Sequence, residues 1–383
     1  MHMSKELKKE CLAKLIERYG RRNREGKSRM LDELCDDFGY ERKYAIKLLG
    51  AGRPSGPVRA HAGPERRYEG TEAVVRQICL CAEQPCGKRL VPILRQWLPF
   101  YELRHGSLSG RDRQLVHQIS AATLDRLLAP ARAQLGGRGR CGTKPGSLLR
   151  SEIPIRTGIW DLTQPGYWEA DSVAHCGGSM AGDFIWSLTY TDILSGWTEG
   201  GAVWNKGSGG VLAATREVEA RLPFALLGFD SDNGGEFLNH HLWTYMRERP
   251  TPVAFTRSRP YHSDDNAHVE QKNWTWARQL LGYDRLENPE LVGPISALYR
   301  EVWAPWQNFI LPCLKLDRKW REGSHWRKRY EPPQTAYQRL CAPGILPLKA
   351  RRVLRERYAS LNPFDLKEEV DKRVKQILHP KPI

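Results

Sequence analysis

The sequence predicts an α/β protein in which a five-stranded mixed sheet flanked by helices is preceded by all-α helix-turn-helix modules and followed by a small basic C-terminal region. Three observations predict this. Apolar residues recur at helical spacing through the first third of the 383 residues; strand-like alternation bounded by Gly and Asp begins at Tyr167; and the charge balance changes sign between these parts. Counted along the sequence, residues 1–150 carry about +14, residues 151–314 about −8 and residues 315–383 about +10, within a net charge of +16. Basic flanks suit a polyanion, and an acidic middle suits a site that binds cations.

Leu7, Cys11, Leu12 and Leu15 give the segment from Lys5 to Tyr19 a helical face. A second helix is expected to open at Ser28 and run to Phe38, Gly39 permits a turn, and Tyr40 to Leu49 forms a third helix exposing Arg42, Lys43 and Lys47. Residues 1–50 thus form a helix-turn-helix unit, with those three cations as DNA contacts. The stretch 51–63, rich in Gly, Pro and Arg, is a basic linker. Residues 64–135 hold helices over 71–82, 87–97 and 120–128, with Ser120 as an N-cap. They are expected to form a second helical DNA-binding domain. Residues 136–150 are a second linker.

The domain 151–297 then reads βββαβαβα, with strands at 167–175, 184–192, 197–204, 225–232 and 253–255 and helices at 209–221, 239–247 and 265–281. Residues 298–383 form a basic C-terminal region that includes an aromatic stretch from Lys315 to Tyr330 and a helix from Phe364 to Leu378.

No run of about twenty apolar residues exists, and the segment from Met1 to Glu10 is charged. A cytoplasmic, nucleoid-associated location with no membrane partner is expected. The nine cysteines lack paired CxxC and HxxxH spacing and are expected to be reduced, mostly buried thiols.

Two-metal phosphodiester chemistry needs acidic side chains on separate rigid elements. Asp171 in the first strand, Asp232 at the end of the fourth and Glu270 on the long helix supply such a set. An oxygen-only set favours two Mg²⁺ or Mn²⁺ ions. Alternation puts Glu169 on the face of Asp171, and Asp230 on that of Asp232, so either neighbour is an alternative ligand. His175 shares the Asp171 face and is read as a packed histidine. Trp274, Trp276, Trp303 and Trp306 fill a core or stack on DNA bases.

Trp168-Glu169-Ala170-Asp171, then Asp232-Asn233-Gly234 with Glu236-Phe237, and then Tyr261 through Asn266-Ala267-His268-Val269-Glu270 occur in that order. About 37 residues separate the second and third acids. Over about 30% of the chain, Trp168 to Arg285, this resembles the RNase H-like catalytic core of retroviral integrases and insertion-sequence transposases. Thr256-Arg257-Ser258-Arg259-Pro260-Tyr261 and Glu270-Gln271-Lys272-Asn273 look closest to bacterial transposases with an integrase-type DDE core. The helical segments at the start, in place of a His/Cys zinc module, agree with that. The resemblance implies that Asp171, Asp232 and Glu270 are the catalytic metal ligands. It further implies that Asn233, Arg257, Arg259, Asn266, Lys272 and Asn273 contact DNA.

The expected function is two-metal cleavage of transposon ends and transfer of the 3′ hydroxyl to target DNA. Double-stranded DNA, both terminal inverted repeats and target, is the expected partner, with self-association into a dimer or larger synaptic complex. The alternatives are a nuclease of the same fold that does not join strands and a non-catalytic DNA-binding regulator.

Overall fold

The computed structural model describes residues 5–50, 68–133, 163–231, 234–257, 272–322 and 325–379. The chain divides into two compact units, Met1–Arg67 and Tyr68–Ile383.

The first unit holds three helices, α1 (Lys5–Arg21), α2 (Arg24–Phe38) and α3 (Arg42–Gly50). Its core is Leu31, Leu34, Ala45 and Leu49, flanked by Leu12, Leu15, Ile16 and Tyr19. The second helix opens four residues before the expected Ser28, because Asn23 caps it: the Asn23 side chain accepts the Gly26 amide at 2.9 Å. Gly39 ends α2 in the left-handed region at φ 65°, and its amide donates to the Cys35 carbonyl.

The second unit begins with four helices, α4 (Glu72–Cys81), α5 (Gly87–His105), α6 (Gly110–Gln118) and α7 (Ala121–Ala133). The α5 helix runs past its expected end at Trp97, and α6 was not expected. Five strands follow: β1 (Tyr167–Ala174), β2 (Ile185–Asp192), β3 (Thr198–Trp204), β4 (Gly228–Ser231) and β5 (Ala254–Arg257). They form one sheet of order β3-β2-β1-β4-β5. β1, β2 and β3 pair antiparallel, whereas β4 runs parallel to both β1 and β5. The sheet is mixed, as the sequence predicts.

One face of this sheet is apolar. Trp168, Ala170 and Ala174 of β1, Trp186, Leu188 and Tyr190 of β2, and Phe229 of β4 pack with residues of α8 (Ser208–Glu219) and α9 (His240–Arg247). Against the other face lie α10, a π-helical turn (Trp274–Arg278) continuing as Gln279–Leu281, and α11, Val292–Leu298 extended by π-helical turns at Tyr299–Trp303 and Trp306–Ile310.

Described residues of α4 to α7, of the sheet and its helices, and of the C-terminal part share one apolar cluster in this unit. Trp97 of α5 packs edge-on against Trp306 at 5.5 Å and against Phe364 at 5.4 Å. The C-terminal part is a two-stranded hairpin, β6 (Leu316–Glu322) and β7 (His325–Tyr330), followed by α12 (Ala336–Leu340), α13 (Leu348–Ala359) and α14 (Pro363–Leu378). No described helix is long and apolar enough to cross a membrane.

Candidate active site

Strand alternation sends Trp168, Ala170 and Ser172 to one side of β1 and Glu169, Asp171 and Val173 to the other. Register then assembles a polar face. Asp171 pairs with Thr189 of β2, Glu169 with Thr191, and on the other side Glu169 with Asp230 of β4. Glu169, Asp230, Thr189 and Thr191 are all buried, whereas Asp171 is half-exposed. Asp230 accepts a hydrogen bond from Thr256 of β5 at 2.5 Å. Of the described acids on this face, Asp171 is therefore the one within reach of a ligand from solvent.

Both oxygens of the Asp171 carboxylate are held. The Ser172 amide donates to Oδ1 at 2.7 Å, and the Asn273 side-chain amide donates to Oδ2. Asn273 reaches it from α10, which is seated on the sheet by Trp276. A Cβ on Gly200 of β3 would lie 2.3 Å from the Trp276 indole nitrogen and 2.9 Å from the Leu188 carbonyl. Glycine at 200 lets the indole lie directly on the sheet, and this sets where Asn273 falls one turn earlier.

Deeper in the same layer, the imidazole Nε2 of His175 lies 2.7 Å from Ser187 Oγ, which lies 2.6 Å from the Tyr299 hydroxyl. Burial drives the His175 pKa down from 6.5 to about 3, with a smaller push from Arg278. It is a neutral, packed histidine, as the sequence reading has it. Trp276, Trp303 and Trp306 are core residues at or below 1% exposure, whereas Trp274 is 54% exposed.

The remaining site residues fall in several environments. Asp232, Asn233, Arg259, Asn266 and Glu270 lie outside the described residues. Lys272 is half-buried; burial lowers its pKa, against the thiol of Cys313 beside it. Arg257 is buried at the end of β5. Lys43 and Lys47 are exposed on α3. Arg42, expected on that exposed face, instead turns back to pair with Asp32 and donate to Ser28 Oγ at 2.9 Å. Its side chain is 18% exposed, so it ties α3 to α2.

Among the described residues, no three His, Cys, Asp or Glu side chains converge as a metal site. The chemistry around Asp171 nevertheless fits a hard cation. Thr189 Oγ1, opposite Asp171 in the ladder, and Asn273 Oδ1 are buried oxygens without a hydrogen-bond partner among the described residues. Oxygen donors with unused lone pairs beside a fixed carboxylate suit Mg²⁺ or Mn²⁺ rather than Zn²⁺. Ser172, Thr189 and Glu236 had no role assigned from the sequence; Glu236 stood in a quoted motif, but its partners are Ser172 of β1 and Lys206 of the turn after β3.

No family profile matches the sequence. The chain is 40% identical over 333 residues to an uncharacterized protein, y4rM, of Sinorhizobium fredii, covering 85% of this chain and 92% of that one. It also resembles two solved structures at low identity. One is a chain of the simian T-cell lymphotropic virus intasome in complex with the PP2A regulatory subunit B56 gamma, at 15% identity and TM-score 0.26, covering 48% of this chain and 59% of that one. The other is the catalytic core domain of BIV integrase, at 18% identity and TM-score 0.23, covering 30% of this chain and 66% of that one.

Proposed function

The chain belongs to the family of the Sinorhizobium fredii protein y4rM, and from its own site and motifs we propose that it is a DDE transposase with Asp171, Asp232 and Glu270 as its catalytic acids. The observation that carries this reading is the Asp171 carboxylate, accessible on a sheet face of buried polar side chains and fixed at both oxygens. Ala170 pairs with Ser231 in the parallel ladder. Asp232 and Glu270 lie outside the described residues, and the order of the motifs in the sequence is what supports them as the second and third acids.

Asp171, Asp232 and Glu270 would hold two divalent ions, which when bound would activate water and stabilise developing negative charge. The protein's own part is positioning. Asn273 and the Ser172 amide hold Asp171 in one orientation, and buried Glu169 and Asp230 support the strand rather than touch DNA. The substrate is double-stranded DNA. Cutting at an element end frees a 3′ hydroxyl, which then attacks a phosphodiester of the target, displacing a target 3′ oxygen and leaving the strands joined. Lys43 and Lys47 would contact phosphates, which position the protein without reading sequence. Two ends joined in concert require a dimer or larger assembly.

The test is Mg²⁺- or Mn²⁺-dependent strand transfer by purified protein, with the element's own ends and a plasmid target. Joined product that is lost in Asp232→Asn is the expected result. Cutting without joining would make the protein a nuclease, and DNA binding without cutting would leave it a regulator.

A further inference from the structure

Glu236 is an acid that the proposed chemistry does not use. It lies just beyond the second-aspartate motif, in the turn after β4, and its side chain is 4% exposed. Both of its carboxylate oxygens are engaged. Oε1 accepts the Ser172 hydroxyl at 2.5 Å, and Oε2 takes the Lys206 ammonium at 3.0 Å. Ser172 in turn donates its amide to Asp171 Oδ1 at 2.7 Å. A continuous chain therefore runs from Lys206 through Glu236 and Ser172 to the carboxylate at the centre of the site.

The Lys206 end of the chain is held as firmly. Its ammonium lies 4.2 Å from the centre of the Trp186 ring. Asn205 and Lys206 take left-handed backbone angles, φ 51° and 40°, in the turn between β3 and α8. Non-glycine residues pay for that conformation, and it persists only where the surroundings hold it. Here Asn205 does the holding: it accepts the Phe184 amide at 3.0 Å and donates to Asp183 at 2.6 Å. The bend delivers Lys206 to a buried carboxylate that would be costly without a cation. Fold stability alone would be served as well by apolar residues, since a buried ion pair seldom contributes more than a packed hydrophobic replacement.

We propose that Glu236 is a positioning residue, which with Lys206 holds Ser172 so that Asp171 presents its carboxylate in the orientation that binds the divalent ion. The proposal rests on the metal-site reading above. Removing an outer partner of a metal ligand typically weakens metal binding about 10- to 100-fold.

The experiment is calorimetric titration of the full chain with Mn²⁺, without DNA, alongside its melting temperature without metal. The variants are Glu236→Gln, Ser172→Ala, Lys206→Met and the double Glu236→Gln/Lys206→Met, with Asp171→Asn as control. Glu236→Gln is expected to raise the Mn²⁺ Kd about tenfold or more, and Ser172→Ala several-fold, by the same outer-partner argument, with melting temperatures near wild type. The double variant should bind no more weakly than Glu236→Gln, because both residues act along one chain. Unchanged Mn²⁺ affinity in Glu236→Gln and Ser172→Ala would overturn the proposal, as would affinity lost only in step with melting temperature. If instead wild type and Asp171→Asn bind Mn²⁺ alike, the metal site itself is wrong. That failure is distinguishable because it does not involve Glu236.

Discussion

The two faces of the central sheet are equally buried around β1 and β4, yet they are built from opposite chemistry. On one, Trp168, Ala170, Tyr190 and Phe229 form an apolar core under α8 and α9. On the other, Glu169, Thr189, Thr191 and Asp230 are buried and polar, with half-exposed Asp171 among them. Apolar burial stabilises in proportion to area, whereas buried polar groups cost free energy unless paired. The first face explains why the sheet exists. The second is a cost the fold carries, and it is where function should be sought.

That contrast is most easily broken on the apolar side. Phe229→Ala deletes a fully buried ring that packs on Phe237 and Phe255. It should cost about 3–5 kcal/mol of stability in chemical denaturation, and a loss below 1 kcal/mol would deny that this face carries the fold. Gly200→Ala tests the junction between the faces, since its methyl group must displace Trp276. Strain of up to about 3 kcal/mol is expected, with metal-dependent cutting reduced further than stability alone explains because Asn273 moves with α10.

His175 sharpens the comparison through pH. Its folded pKa lies below its unfolded value, so the unfolded chain takes up a proton first. Stability is fully present above about 6.5 and is lost as pH falls from there towards about 3. Between pH 7 and 5 the loss should be about 2 kcal/mol, and urea melts of His175→Gln should be correspondingly flatter over that range. The smallest effect is expected at Asn273. Asn273→Ala removes one donor from Asp171, and activity should fall about tenfold, which is roughly 1.4 kcal/mol, with little change in melting temperature. An unaltered rate would remove Asn273 from the site.

The strands were legible in the sequence because their alternation and their Gly and Asp boundaries are local. The first three, expected at 167–175, 184–192 and 197–204, occur at Tyr167–Ala174, Ile185–Asp192 and Thr198–Trp204. Helix ends were less legible. Ser28 resembles an N-cap, yet its hydroxyl accepts from Arg42 while Asn23 performs the capping. The packing of Trp97 on Trp306 and Phe364 joins residues far apart in sequence, and no periodicity reports such a contact. In the site, Asp171 stood out as an acid in an apolar run. The pairing of Glu236 with Lys206 did not, because it depends on a left-handed turn after β3 and joins residues 30 apart in sequence.

The central claim is that Asp171 serves chemistry at the expense of nothing the fold needs. The most direct test compares wild type and Asp171→Asn in a single preparation each, for Mn²⁺-dependent cutting of element ends and for melting temperature. Asp171→Asn is predicted to lose cutting by about 100-fold or more, the scale on which removing one electrostatic catalytic group acts, while melting at or above the wild-type temperature. Cutting retained within a few-fold, or a melting temperature that collapses with it, would contradict the account.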